Sequence, residues 1–214
     1  MENKVSRRQF LKTGCIAAAA VGVTACGGTA LAATHQPKID LPTSTYGENT
    51  MNQRVLIAYA SKAGSTAEIA SRIGETLSGH NLQVDVMPIK KVADITPYQT
   101  VIVGSAIRIG QLLPEAMKFI QKYQTVLQQK TFGAFVVCMT LKDDTEANRK
   151  TVSAYLDPVR ALVKPDAEGL FAGVIDPGKL NLLDRLIINA IKAPSGDFRR
   201  WNQIQVWAES MSPA

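Results

Sequence analysis

From Arg54 onward, short runs of β-branched residues alternate with longer segments in which apolar residues recur every third or fourth position. This alternation is typical of a parallel sheet with helices packed on both of its faces. The sequence predicts five strands, at 55–60, 82–87, 100–105, 133–139 and 170–175. A chain of 214 residues has room for one such α/β domain and an appendage, but not for two domains.

The apolar content of the strands predicts where each one lies in the sheet. Residues 55–58 and 101–103 are continuous apolar runs, as strands buried on both faces are. Leu82, Val84 and Val86 alternate with polar residues, so we expect the second strand at an edge. These features favour the strand order 2-1-3-4-5, in which ligands bind beyond the carboxyl ends of the strands.

Two helix boundaries can be predicted from single residues. Pro158 is expected to split the helix before the fifth strand, with Asp157 as a new N-cap. Asp197 is expected to cap the last helix. The apolar face of that helix is formed by Ile204, Trp207, Ala208 and Met211.

The first 25 residues differ from the rest of the chain. A basic, polar head is followed by a short apolar stretch at residues 15–25, which is typical of a targeting segment. Within the head, residues 6–12 (SRRQFLK) resemble the twin-arginine signal that directs folded proteins to export. A general secretory signal that happens to contain two arginines is the alternative, and the Phe-Leu-Lys continuation favours the twin-arginine interpretation.

Two cleavage patterns compete after this signal. Residues 23–26 (VTAC) match a lipobox, whereas residues 30–32 (ALA) match the site of ordinary signal peptidase. We favour the lipobox, which would make Cys26 a lipidated N-terminus on the extracytoplasmic face of the cell membrane. Residues 1–25 are then the signal peptide, 26–53 a flexible tether and 54–211 the folded domain.

The charge of the mature chain bears on its partners. The first 25 residues hold four of the 24 basic residues and one of the 18 acidic ones, so 20 and 17 remain. This balance argues against nucleic acid as a partner. His35 and His80 stand alone in the sequence, and we expect no metal site.

The loop after the first strand has the composition of a phosphate site. Small and hydroxyl residues and a glycine, placed where a strand leads into a helix, expose backbone N–H groups and the positive helix end to an anion. A plain capped turn is the alternative for the same residues. The loop consists of Ser61, Lys62, Ala63, Gly64, Ser65 and Thr66.

Two more loops are expected at the same edge of the sheet. After the third strand come Ser105, Ala106, Ile107, Arg108 and Gly110, which could let the backbone approach a planar ring. After the fourth strand come Thr140, Leu141 and Lys142. Arg108 has an ordinary alternative as a solvated loop arginine.

These residues together resemble a family. Residues 54–210 are similar to the flavodoxin-like domain family, and within it to the branch with the menaquinone-dependent protoporphyrinogen oxidases of bacteria. The matching segments are 61–70, 103–110, 184–185 and 194–201. One departure is Ile109, which stands where those oxidases have an aromatic residue.

The resemblance implies a flavodoxin-like three-layer fold with a five-stranded parallel sheet, and FMN as the cofactor. The FMN phosphate would lie on residues 61–66, and the isoalloxazine ring between the loops at 105–110 and 140–142. The implied function is FMN-dependent oxidation–reduction at a membrane surface, with quinone or a porphyrinogen-like molecule as redox partner. Because electron transfer needs no acid–base side chain, we assign no catalytic residue.

Two other functions remain open at this point. One is a cofactor-free binding module with the same fold, tethered at the membrane. The other is a simple one-electron carrier, although such carriers depend on a strongly acidic face that this chain lacks.

Overall fold

The computed structural model describes residues 39, 41–47, 53–180, 185–186, 189 and 194–212. The twin-arginine segment, Cys26 and the alternative cleavage site at residues 30–32 lie outside the described residues. Within the described ranges, no helix combines the length and the apolar character needed to cross a bilayer.

The described residues form a doubly wound α/β fold. The strands are β1 (Ser44–Tyr46), β2 (Arg54–Ala60), β3 (Gln83–Pro88), β4 (Thr100–Arg108), β5 (Gln111–Leu112), β6 (Thr131–Val137), β7 (Ala167–Phe171), β8 (Val174–Ile175) and β9 (Gly196–Asp197). The helices are α1 (Ser65–Ser78), α2 (Pro114–Lys122), α3 (Gln124–Leu127), α4 (Glu146–Ala154), α5 (Asp157–Arg160) and α6 (Trp201–Glu209).

The five long strands are parallel and lie in the order β3-β2-β4-β6-β7. This confirms the predicted fold class and the predicted order 2-1-3-4-5 of the parallel strands. Helices α1 and α6 cover one face of the sheet, and α2, α4 and α5 cover the other. Side chains of β2 alternate between the two faces, so Ile57 and Ala58 are both fully buried.

The predicted edge position of the second strand is wrong. β1 pairs antiparallel with the outer side of β3, with Ser44 opposite Val86 and Tyr46 opposite Val84. The residues that form β1 lie in the segment 26–53, which the sequence analysis assigns to a flexible tether, and that assignment is wrong for Ser44–Tyr46. A side-chain hydrogen bond stabilises this pairing, because the Thr45 hydroxyl donates to Oδ1 of Asp85 at 2.7 Å.

Several strand boundaries also differ from the predictions. β4 continues to Arg108 because it turns back into β5 as a hairpin, with Ile107 opposite Leu112. β6 begins and ends two residues before the predicted strand. The predicted strand 170–175 is divided into β7 and β8, and β8 pairs with β9 outside the main sheet.

The helix boundaries follow the predictions in part. The helical segment before β7 is broken into α4 and α5, with Pro158 at the start of the second piece, as predicted. The predicted N-caps are wrong: Leu156 precedes α5, and α6 begins only at Trp201. The Asp197 carboxylate accepts hydrogen bonds from Arg199 and does not cap the helix.

Candidate functional site

A cleft of about 400 Å³ lies at the carboxyl ends of the parallel strands. All three loops that the sequence predicts for this edge contribute to its lining. The lining residues from these loops are Ser61, Lys62, Ala63, Ser65, Ala106, Ile107, Arg108, Ile109, Gly110, Met139 and Thr140.

The first loop folds as an anion cradle does. Gly64 has a positive φ of 92°, which glycine adopts without strain, and this turns the chain from β2 into α1. Its N–H donates to the hydroxyl of Ser61 at 3.0 Å. Its carbonyl accepts from Ala67 and Glu68, the first helical hydrogen bonds of α1. The N–H groups of Ser65 and Thr66 come before these bonds in the chain, so they have no carbonyl partner within the helix, as at any helix N-terminus.

The buried side chain of Thr66 also indicates a ligand at this loop. The residue has no exposed surface, and its hydroxyl oxygen has no hydrogen-bond partner among the described residues. Leaving a buried hydroxyl unpaired costs about 1–3 kcal/mol. Thr66 belongs to the loop but lies outside the cleft lining, so an anion seated deeply enough on the loop to reach this hydroxyl would supply the missing partner. In that position the residues present fit a phosphate group.

Ser105 supports the second loop from behind. Its side chain is fully buried, its hydroxyl donates to the carbonyl of Ala106 at 2.8 Å, and it accepts from the N–H of Leu113 at 3.0 Å. Ser105 therefore fixes the start of the loop and does not line the cleft. The tip is formed by Ile109 and Gly110, which have positive φ values of 51° and 71°.

The third loop lines the cleft through Thr140, one of its three predicted residues. Its hydroxyl accepts from the thiol of Cys138 at 3.3 Å. Leu141 is 1% exposed and packs in the core, and the Lys142 ammonium lies 2.7 Å from Asp143. The side chains of Leu141 and Lys142 lie outside the cleft lining, as do Gly64, Thr66 and Ser105.

Apart from Cys138, at the end of the fourth strand, the residues of the remaining wall were not predicted from the sequence. This wall consists of Leu113, Val137, Cys138, Tyr155, Gly173, Val174, Ile175 and Leu180. Gly173 is required by close packing, because a Cβ there would come within 2.9 Å of Val137 and 3.3 Å of the Ser65 hydroxyl. An isolated glycine in a strand pattern is the one signal that could have identified this wall.

The charge of the cleft is positive. Among the described lining residues, the charged ones are Lys62 and Arg108, and no carboxylate lines the cleft. The Lys62 ammonium lies 3.9 Å from a carboxylate oxygen of Glu115, outside the lining. Such a cleft suits a ligand with a planar apolar part and a negatively charged group.

The segment before β2 reaches the same end of the sheet. The Tyr59 hydroxyl donates to the carbonyl of Pro42 at 2.6 Å. Ile39 lies beside the first loop, since its Cγ2 is 3.6 Å from the position of a Cβ on Gly64.

Comparisons with known proteins agree with this fold. A family model described as a flavodoxin domain matches residues 56–201. Protoporphyrinogen IX dehydrogenase [quinone] of Escherichia coli K12 is 24% identical over 171 residues, which are 74% of this chain and 94% of that protein. The protein of the same name from Leishmania major is 23% identical over 152 residues, 69% of this chain and 65% of that protein.

A solved structure has a similar fold. A short-chain flavodoxin associated with a bacterial microcompartment has a TM-score of 0.50 and 16% identity, covering 74% of this chain and 96% of that chain. At this identity the likeness concerns the fold alone.

Proposed function

The chain belongs to the flavodoxin domain family, and from this we propose that it is an FMN-dependent oxidoreductase that passes electrons between a small substrate and a quinone. FMN supplies the electron-transfer chemistry when bound. The protein holds the cofactor, excludes water from one side of it and admits the partner.

The observation that carries this proposal is the buried, unpartnered hydroxyl of Thr66 behind the first loop. Residues 61–66 would hold the FMN phosphate, with the loop N–H groups and this hydroxyl as donors to its oxygens. The second loop, Thr140 and the wall residues Val174 and Ile175 line the part of the cleft that would hold the ring.

The charge of the cleft favours an enzyme over a diffusing carrier. Carriers that meet basic protein partners rely on acidic faces around the cofactor, because complementary charge speeds their encounter. Here the cleft lining contains Lys62 and Arg108 and, among the described residues, no carboxylate. The relatives named protoporphyrinogen IX dehydrogenase [quinone] support a porphyrinogen-like substrate and a quinone acceptor.

The test of this function is spectroscopic and kinetic. The purified protein should have flavin absorbance near one FMN per chain, and should oxidise protoporphyrinogen IX in the presence of a quinone such as menadione. A protein that binds no FMN even when the cofactor is added would be a binding module. A protein that binds FMN but does not turn over with menadione would be a carrier.

We further propose that the protein is exported in the folded state and held at the membrane through Cys26. FMN is acquired in the cytoplasm, so a domain that works with it outside must be exported folded, as the twin-arginine route allows.

Export and anchoring can be tested separately. Replacing Arg7 and Arg8 together by lysine should retain the protein in the cytoplasm, whereas Lys12→Arg should not. Cys26→Ser should be exported but should leave the membrane fraction. Normal export of the double variant would contradict the twin-arginine route, and membrane retention of Cys26→Ser would contradict the lipid anchor.

A further inference from the structure

Phe198, Arg199 and Arg200 are consecutive in the chain, and each contacts a different segment beside the cleft. We propose that these three residues, which we call the C-terminal clamp, are positioning residues that hold the three segments at the spacing FMN requires. Arg200 has the largest part in this role. The inference rests on the proposed FMN site, and one arm of its test is independent of FMN.

The first contact of the clamp is to the wall after β7. The backbone N–H of Phe198 donates to the carbonyl of Gly173 at 3.1 Å. This bond continues the pairing of β9 with β8, in which Asp197 is opposite Val174. Because Gly173 and Val174 line the cleft, the clamp is joined directly to that wall.

The second contact is to the helix that follows the phosphate loop. A guanidinium nitrogen of Arg199 donates to a carboxylate oxygen of Glu68, in the first turn of α1. The same guanidinium donates two bonds to Asp197, at 2.9 and 2.6 Å, and stacks 4.4 Å from the Trp201 ring. With its side chain 10% exposed, Arg199 is held in one orientation between these groups.

The third contact is to the loop after β6. Arg200 donates from Nη1 to the carbonyl of Leu141 at 3.0 Å and from Nη2 to the carbonyl of Lys142 at 3.1 Å. Both carbonyls belong to the short 3-10 helix at Met139–Lys142, which presents Thr140 to the cleft. The planar guanidinium presents its N–H donors to two neighbouring carbonyls in a fixed geometry, whereas the three donors of a lysine ammonium lie on one flexible point charge.

Arg200 is itself oriented by Asp144. The closest oxygen of this carboxylate lies 3.6 Å from Nη1 of Arg200. Asp144 also accepts from Arg149 at 2.8 Å and from Gln203 at 3.2 Å, and these bonds, the Arg149 bond first, lower its pKa. The carboxylate is therefore charged at neutral pH and keeps Arg200 directed at the loop.

These contacts explain how a short turn can serve as a precise wall. The 3-10 helix at Met139–Lys142 lies outside the main sheet, so it gains no support from strand pairing. A cofactor site needs its walls fixed within about 0.5 Å by surrounding contacts. Arg200 supports this turn through the Leu141 and Lys142 carbonyls, and its guanidinium does not itself line the cleft.

The experiment compares Arg200→Met with Arg149→Met. Both variants remove an arginine that contacts Asp144, but Arg200 alone of the two bonds to the Leu141 and Lys142 carbonyls. The dissociation constant for FMN should rise about tenfold in Arg200→Met and change less than about twofold in Arg149→Met. The visible circular dichroism of bound FMN should change in Arg200→Met, and Arg200→Lys should recover part of the affinity.

Hydrogen exchange of the FMN-free protein provides the second arm. The N–H of Leu141 donates to the carbonyl of Cys138 at 3.2 Å, so it reports the order of the turn. Its exchange should be about tenfold faster in Arg200→Met and unchanged in Arg149→Met. Equal effects of the two variants on exchange would overturn the clamp, because the loss would then act through Asp144.

The two arms separate the clamp from the proposed function. If the wild-type protein binds no FMN, the proposed function fails while the exchange arm still decides the clamp. If FMN binds with equal affinity to the wild type and to Arg200→Met, the clamp fails and the proposed function stands.

Discussion

The Tyr98 hydroxyl donates a hydrogen bond to Oδ2 of Asp85 at 2.9 Å, and both residues are more than nine-tenths buried. Thr45 and Arg54 donate to the same carboxylate, at 2.7 and 2.8 Å. Asp85, on β3, is thereby bonded to β1, to β2 and to the segment just before β4. A charged carboxylate with three donors is the polar anchor of this edge of the sheet.

Asp85 should make the stability of the domain sensitive to acid. Burial alone would raise the pKa of Asp85, but hydrogen bonds from Thr45, Tyr98 and Arg54 outweigh it and lower that pKa. A lowered pKa stabilises the fold above the ordinary value of about 3.9, and this contribution disappears as the pH falls through the lowered pKa. Asp85→Asn should therefore cost about 2 kcal/mol at pH 7 and less at pH 2.

Urea unfolding at several pH values measures this effect. Glu209→Gln, at an exposed position on α6, serves as the control and should cost less than about 0.5 kcal/mol throughout. A cost of Asp85→Asn that is the same at pH 7 and pH 2 would contradict the predicted role of the charge.

Thr66→Val should have opposite effects on stability and on cofactor binding. Valine has the shape of threonine but lacks the hydroxyl that is buried without a partner, so the FMN-free protein should be unchanged or up to about 1 kcal/mol more stable. FMN binding should weaken by about 10- to 100-fold, because a bond to a charged oxygen is worth about 1.5–3 kcal/mol.

Thermal unfolding and FMN titration test the two halves of this prediction. Thr76→Val is the matched control, since its hydroxyl donates to the carbonyl of Arg72 on the exposed side of the same helix. If Thr66→Val binds FMN as tightly as the wild type, the phosphate does not bind at this hydroxyl and the prediction is contradicted.

Ile109→Asn should stabilise the domain. Ile109 is 93% exposed and has a φ of 51°, so a β-branched side chain is held in the left-handed region without compensating burial. Asparagine tolerates this conformation, and the change should add about 1 kcal/mol to the free energy of unfolding. Gly110→Ala, at a φ of 71°, should have the reverse effect. Chemical denaturation of both variants should therefore give shifts of opposite sign.

Arg108→Gln should lower the reduction potential of bound FMN. A positive charge near the ring favours its reduced, more negative form, and at an effective dielectric of 20 a pair at 4 Å is worth about 4 kcal/mol. Because Arg108 is partly exposed and its charge is screened by solvent, we expect about 1 kcal/mol, or about 20 mV for a two-electron couple. Potentiometry with Lys118→Gln as an exposed control would measure it, and equal potentials would place Arg108 away from the ring.

Much of the site could be predicted because its signals are local. Gly64 and the hydroxyl residues around it stand between a strand and a helix, and this pattern places a cradle at the carboxyl edge of any parallel sheet. The alternative of a plain capped turn does not explain the unpaired hydroxyl of Thr66. The prediction that Leu141 lines the site was wrong, because its apolar side chain is buried in the core and does not face the cleft.

The alternation of strands and helices, the order of the parallel strands and the three loops at their carboxyl ends were determined by the sequence itself. Each depends on apolar periodicity or on residues adjacent in the chain. The tertiary structure alone decided the position of β1, the wall at Gly173 and the contacts of Arg200. These features depend on partners far apart in the chain. Arg200, for example, bonds to carbonyls 58 and 59 residues before it, and no periodic pattern predicts such a pairing.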